Sequence, residues 1–204
     1  MAKPNVNVQP IYNEDKPTRI ITGCLRLAYN AVIDGQMPNA KFKNAKPERK
    51  YPAVLLIEPS DPVLPLLKKA MKAAAIDFFK GEANIPKKLY NPIRDGAEKA
   101  EDYPFYAGHL FLTVTTTSKP GVVDQGNQPV TDADVIYSGC WVRCELNAFG
   151  YDYGDPGVAF GLNNVQKLGD DTRFGGRRPA DQVFTPVVDA ANPFTKKEES
   201  SMFD

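Results

Sequence analysis

Three stretches of this chain alternate apolar and polar side chains with a period of two, and only one carries a helical repeat. That imbalance confines the chain to a mainly β fold. In 105–117, FYAGHLFLTVTTT, Leu110, Leu112 and Val114 share one face; His109, Phe111, Thr113 and Thr115 take the other. In 137–149, YSGCWVRCELNAF, the apolar face is Cys140, Val142, Cys144, Leu146 and Ala148; Tyr137, Trp141, Arg143, Glu145, Asn147 and Phe149 lie opposite. In 157–168, Val158, Phe160 and Leu162 point inward. With 18 Pro and 15 Gly in 204 residues, turns are frequent and a helical bundle is excluded.

Residues 20–33 are β-branched and apolar and read as a strand bent at Gly23, and 51–57 as a strand with Pro52 near its start. The one helix is expected over 60–80. Ser60 and Asp61 are cap residues, Pro62 suits a first turn, and Pro65 delays regular helix to about that point. Val63, Leu67, Ala70, Met71, Ala74 and Phe78 form its apolar face, and Gly81 is the expected stop. Residues 82–104 read as a turn-rich connection. Residues 1–19 read as an extended arm, 20–188 as the domain and 189–204, which lack periodicity, as a flexible tail. About five strands, one helix and long loops suggest a five-stranded antiparallel barrel, because closure removes exposed edges. No apolar run approaches the length of a membrane span, and the first residues lack a leader-type apolar region.

The 25 basic and 25 acidic side chains cancel, but not locally. Residues 1–50 hold nine basic against four acidic groups. Lys41, Lys43, Lys46, Arg49 and Lys50 surround Phe42 and Tyr51, the pattern of a groove that tracks a phosphate backbone; the bland reading is a solvated loop. Arg26 and a second cluster, Arg173, Arg177 and Arg178 around Phe174, add to it. On 137–149 the face bearing Trp141, Arg143 and Phe149, with Phe111 and His109 on the neighbouring strand, is a candidate platform for unpaired bases; packing under a helix or loop is the alternative.

Enzyme chemistry finds little support. Asp132, Asp134, Asp152, Asp155, Asp170 and Asp171 offer a magnesium-dependent nuclease as the alternative function, but they lie in expected turns near Gly or Pro, where Asp is favoured for backbone reasons. There is one histidine, no phosphate-binding or nucleophile motif, and no metal-ligand spacing among the three cysteines. Cys140 and Cys144 stand about 13 Å apart by strand rise, too far for a disulfide, and read as core thiols in a reducing compartment. No cofactor is expected.

Several motifs occur in order: Arg94-Asp95-Gly96, Tyr106-Ala107-Gly108-His109, Lys119-Pro120-Gly121-Val122-Val123-Asp124, Tyr137-Ser138-Gly139-Cys140, Gly161 to Lys167, and Phe174-Gly175-Gly176-Arg177. From about Ile21 to Phe184 the chain resembles a phage-encoded family of podophage-type single-stranded DNA-binding proteins. The resemblance implies an OB-fold barrel with an acidic C-terminal tail, acting without enzymatic activity in DNA replication, recombination and repair in the bacterial host cytoplasm. It does not say which residues touch DNA. Two departures stand out. The expected helix precedes the two clearest strands, whereas an ordinary OB-fold places it between the third and fourth. The tail also carries Lys196 and Lys197 beside its acids. Glu198, Glu199, Met202, Phe203 and Asp204 are the candidate residues for binding a polymerase, helicase or primase. A homodimer stays open, since the sequence does not set oligomeric state.

Overall fold

The computed structural model describes residues 4–37, 48–175 and 183–185. In chain order the elements are β1 (Ile11–Tyr12), β2 (Arg19–Ile21), β3 (Leu25–Asn30), β4 (Tyr51–Ile57), α1 (Val63–Phe79), β5 (Ile93–Asp95), β6 (Leu110–Thr116), β7 (Gly121–Val123), β8 (Trp141–Tyr151) and β9 (Gly157–Gly169). Met1–Phe174 forms one compact unit and Gly175–Asp204 a second.

Five strands close into a barrel. β3 pairs with β4, β4 with β6, β6 with β9, β9 with β8, and β8 returns to β3 through Leu25↔Val142 and Arg26↔Trp141. The expected barrel was antiparallel throughout, and four seams are. The fifth, β6 to β9, is parallel. An odd ring cannot alternate direction all the way round, so at least one seam must be parallel. Irregular register between Leu27 and Tyr29 of β3, and between Glu145 and Leu146 of β8, bends the strands toward closure.

The alternation read from the sequence sets the interior. Leu25, Leu27, Leu55, Ile57, Leu112, Val114, Val142, Cys144, Leu146 and Phe160 are all buried in one cluster. Each such aliphatic or aromatic side chain contributes roughly 1.5–3 kcal/mol of transfer free energy. Helix α1 packs Val63, Leu67, Ala70, Ala74 and Ala75 into the same cluster. It starts at Val63, before Pro65. Position 65 lies in the first turn, where N–H groups have no helical partner, so the proline costs no hydrogen bond. Asp61 caps from outside by accepting the Val63 N–H at 2.9 Å. Phe78, expected on the apolar face, is instead exposed and lies over Gly150, whose missing side chain makes the room. The left-handed stop is Lys80 (φ 58°), with Gly81 following.

Helix α1 lies between the second and third barrel strands, as its sequence position requires. Among the described residues the connection from β6 to β8 contains β7 and turns, with no helix. Three short strands escaped the sequence reading. β1 falls in the expected arm and pairs with β2; β5 falls in the turn-rich connection and pairs with β6; β7 lies parallel to β9.

Candidate nucleic-acid interface

The short seam between β3 and β8 sets Arg26 directly opposite Trp141. Arg26 points outward and is fastened on several sides. Its Nε donates to the Gly139 carbonyl at 2.9 Å, one terminal nitrogen donates to the Thr172 carbonyl at 3.0 Å, and the same nitrogen lies 3.2 Å from Asp171 Oδ2. Gly139 has φ +109°, and a Cβ there would stand 2.2 Å from the Thr172 carbonyl oxygen, so only glycine fits this crossing. The Asp171 carboxylate is buried. It accepts the Trp141 indole N–H at 3.0 Å and its own neighbour's N–H, that of Thr172, at 2.6 Å.

Burial raises the Asp171 pKa, but hydrogen bonds, that of the Thr172 N–H first and that of the Trp141 indole among the others, together with the Arg26 charge, outweigh it and hold the group below 3.8. The ionised form is therefore favoured by folding. Its stabilisation is fully present above the unfolded value and is lost as pH falls through the lower folded value. Thermal midpoints followed from about pH 7 down to about pH 2 are expected to fall more steeply below pH 3.8 for the parent than for Asp171→Asn. Equal slopes would mean that Asp171 is not held ionised by the fold.

Beside this latch lies an aromatic pair. Phe105 and Phe174 stack with centroids 4.2 Å apart and planes within 1° of parallel, and the Arg26 guanidinium lies 4.4 Å from the Phe174 ring centre. Both rings cover a small outer cluster of Ala28, Val54, Leu56, Tyr106 and Phe111 on the outward face of β3, β4 and β6. A cleft of about 240 Å³ opens there, with Arg26, Phe105, His109, Trp141 and Phe174 in its walls beside the acidic Glu58 and Asp61.

The expected platform residues do not form one surface. Trp141 is only 8% exposed, packed with Cys24, Leu168, Val6 and Val8, so its ring is mostly withdrawn into packing. Phe111 is 1% exposed. Tyr106 meets it edge-on at 5.3 Å, Lys99 lies 4.7 Å over it and Arg94 5.3 Å, which leaves no ring face for a base. Phe149 is 43% exposed but eight residues along β8 from Trp141, about 26 Å by strand rise. Between them the outer face is tied by cross-strand bonds. Arg143 donates to Gln166 at 2.7 Å, Asn164 donates to Glu145 at 2.6 Å, and Thr18 donates to Asn147 at 2.9 Å.

Of the basic loop, Arg49, Lys50 and Tyr51 are described. Arg49 donates to the Asp34 carbonyl, Lys50 is exposed, and Tyr51 opens β4. Lys41, Phe42, Lys43 and Lys46 lie outside the described residues, as do Arg177, Arg178, Glu198, Glu199, Met202, Phe203 and Asp204. Arg173 lies 3.9 Å over the Tyr137 ring and donates to the Asp134 carbonyl at 3.2 Å. His109 is half-buried, with Nδ1 3.0 Å from the Ala107 carbonyl, and lines the cleft. Sequence reasoning missed Phe105, Arg94 and Lys99. Phe105, expected in a strand, sits in a 3₁₀ turn, Pro104–Tyr106.

The carboxylates offered for magnesium have other work: Asp170 accepts the Tyr137 hydroxyl at 2.7 Å and pairs with Lys167, and Asp171 belongs to the latch. Asp132 accepts the Asp134 N–H at 2.8 Å, as a turn aspartate does. Among the described residues, no three His, Cys, Asp or Glu side chains come together as a metal group. The three cysteines are buried, and desolvation raises the pKa of both Cys140 and Cys144. No helix among the described residues is long and apolar enough to cross a membrane.

Against known proteins, the model of a family described as Enterobacter phage Enc34, ssDNA-binding protein, matches residues 18–195. A curated relative, putative protein p50 of Acyrthosiphon pisum secondary endosymbiont phage 1, is 37% identical over 99 residues. That match covers 44% of this chain and 53% of the relative, so it spans about half the relative's length. Among solved structures, the single-stranded DNA-binding protein from bacteriophage Enc34 in complex with ssDNA aligns with TM-score 0.67 at 18% identity, covering 83% of this chain and 99% of that one. The single-stranded DNA-binding protein gp2.5 of bacteriophage T7 aligns with TM-score 0.54 at 16% identity, covering 82% and 98%. At these identities the structural likeness establishes a shared fold.

Proposed function

Because the chain belongs to the family of the Enterobacter phage Enc34 ssDNA-binding protein, we propose that it binds single-stranded DNA across the outward face of β3, β4 and β6, without regard to base sequence. The observation that carries this reading is the cluster at the barrel seam. A fixed guanidinium, an aromatic pair and a cleft lie together on the face that OB-folds use for oligonucleotides. Stacking uses the ring face that every base has, so such a surface discriminates poorly among bases. The connection between β3 and β4 carries Lys41, Lys43, Lys46, Arg49 and Lys50 in sequence and leads into the edge of this face, where cations would meet phosphates.

On this reading the protein covers exposed strands during phage DNA replication, recombination and repair in the host cytoplasm, and catalyses no reaction. Its C-terminal tail, with Glu198, Glu199, Met202, Phe203 and Asp204, recruits a polymerase, helicase or primase.

The test is a titration of labelled oligo-dT and of a duplex of equal length. Single strands are expected to bind far more tightly, with affinity falling with salt at a slope of about −0.7 per neutralised phosphate. Duplex binding of equal strength would remove the stacking account. Asp132→Asn combined with Asp134→Asn should leave binding within error and the oligonucleotide intact with magnesium present. Divalent-dependent nicking by the parent that the double variant lacks would restore the nuclease.

A further inference from the structure

The Phe174 ring rests against two groups that proteins use to hold an unpaired base: an aromatic ring, Phe105, stacked parallel at 4.2 Å, and a guanidinium, Arg26, at 4.4 Å. We propose that the space Phe174 fills beside Phe105 and Arg26 is a nucleobase slot, and that Phe174 is its placeholder, expelled when a base of single-stranded DNA enters. This rests on the single-strand reading above and names the subsite where one base is held.

Four features support it. The slot's walls belong to the barrel body, on β3 and on the turn before β6, whereas Phe174 closes the compact unit at its last residue. The described backbone bond that holds Phe174 is its N–H to the Ser138 carbonyl at 2.9 Å. Arg26 is anchored to the Gly139 carbonyl and to Asp171 by contacts that do not involve the Phe174 ring, so the slot would stay formed when Phe174 leaves. The neighbouring cleft of about 240 Å³ gives an incoming nucleotide access. Phe174 thus competes with DNA inside the molecule, and the cost of removing one stacked ring sets the size of the effect.

Two variants and one spectroscopic measurement test this. Phe174→Ala is expected to bind oligo-dT roughly two- to tenfold more tightly than the parent, since an aromatic pair no longer has to part. Phe105→Ala is expected to bind roughly 5- to 100-fold more weakly, since a wall of the slot is gone. Because Phe174 also roofs an apolar cluster, the ring is followed directly as well. In a Trp141→Phe background, Phe174→Trp places the single indole at position 174, and adding oligo-dT should shift its emission to the red as it enters water. Unshifted emission while a labelled oligonucleotide shows binding, or Phe174→Ala binding no more tightly than the parent, overturns the slot and leaves single-strand binding standing. Absence of binding by every protein, the parent included, defeats both readings.

Discussion

Arg26→Ala is expected to destabilise the protein by about 3–5 kcal/mol, the range for removing one partner of a buried ion pair. Arg26 joins β3 to the turn at Gly139 and to the segment 171–174, and its removal leaves the Asp171 carboxylate buried without its guanidinium. The Trp141 and Thr172 N–H groups still contact that carboxylate, so the loss should fall near the lower end. Urea denaturation of parent, Arg26→Ala and Arg26→Lys measures it. Lysine restores the charge without the fork that reaches Gly139 and Thr172, so it should recover only part of the loss. A stable Arg26→Ala variant would mean that the seam closes without the latch.

Trp141→Ala is expected to cost about 3–5 kcal/mol, as large-to-small changes at buried aromatic positions do. The indole packs with Cys24, Leu168, Val6 and Val8, and its N–H is bonded to Asp171. Trp141→Phe keeps most of the packing and loses the bond, for about 1–2 kcal/mol. Denaturant midpoints separate these outcomes from a role on the binding surface. If Trp141→Ala kept parental stability and lost DNA affinity, the ring would belong to the interface rather than to the packing beneath it.

What was legible in the sequence followed from local pattern. The period-two faces of β6, β8 and β9, the break near Gly23 and the span 51–57 of β4 all depend on alternation and on glycine and proline positions. Closure into a five-stranded ring with one helix followed from counting elements. What was not legible depends on distant chain. Parity puts Trp141 on the outer face of β8, as expected, but Val6 and Val8 from the arm cover it, and no pattern within 137–149 announces that. Phe105 and Phe174 lie far apart in sequence, so their stack has no local signature. β1, β5 and β7 are two or three residues long, too short to show a period. Arg26 looked like one basic residue among many. Its special place comes from the register that sets it against Trp141.

In the proposed complex, single-stranded DNA lies on the outward face of β3, β4 and β6 beside the barrel seam. Amide hydrogen exchange of the full chain, with and without saturating oligo-dT, tests it most directly. Slower exchange is expected in β3 and β4, in the turn 104–109 and in the segment 171–174, with α1 and the β8–β9 turn at 152–156 unchanged. Protection confined to α1 or to the 152–156 turn, with β4 and 104–109 unaffected, would contradict it.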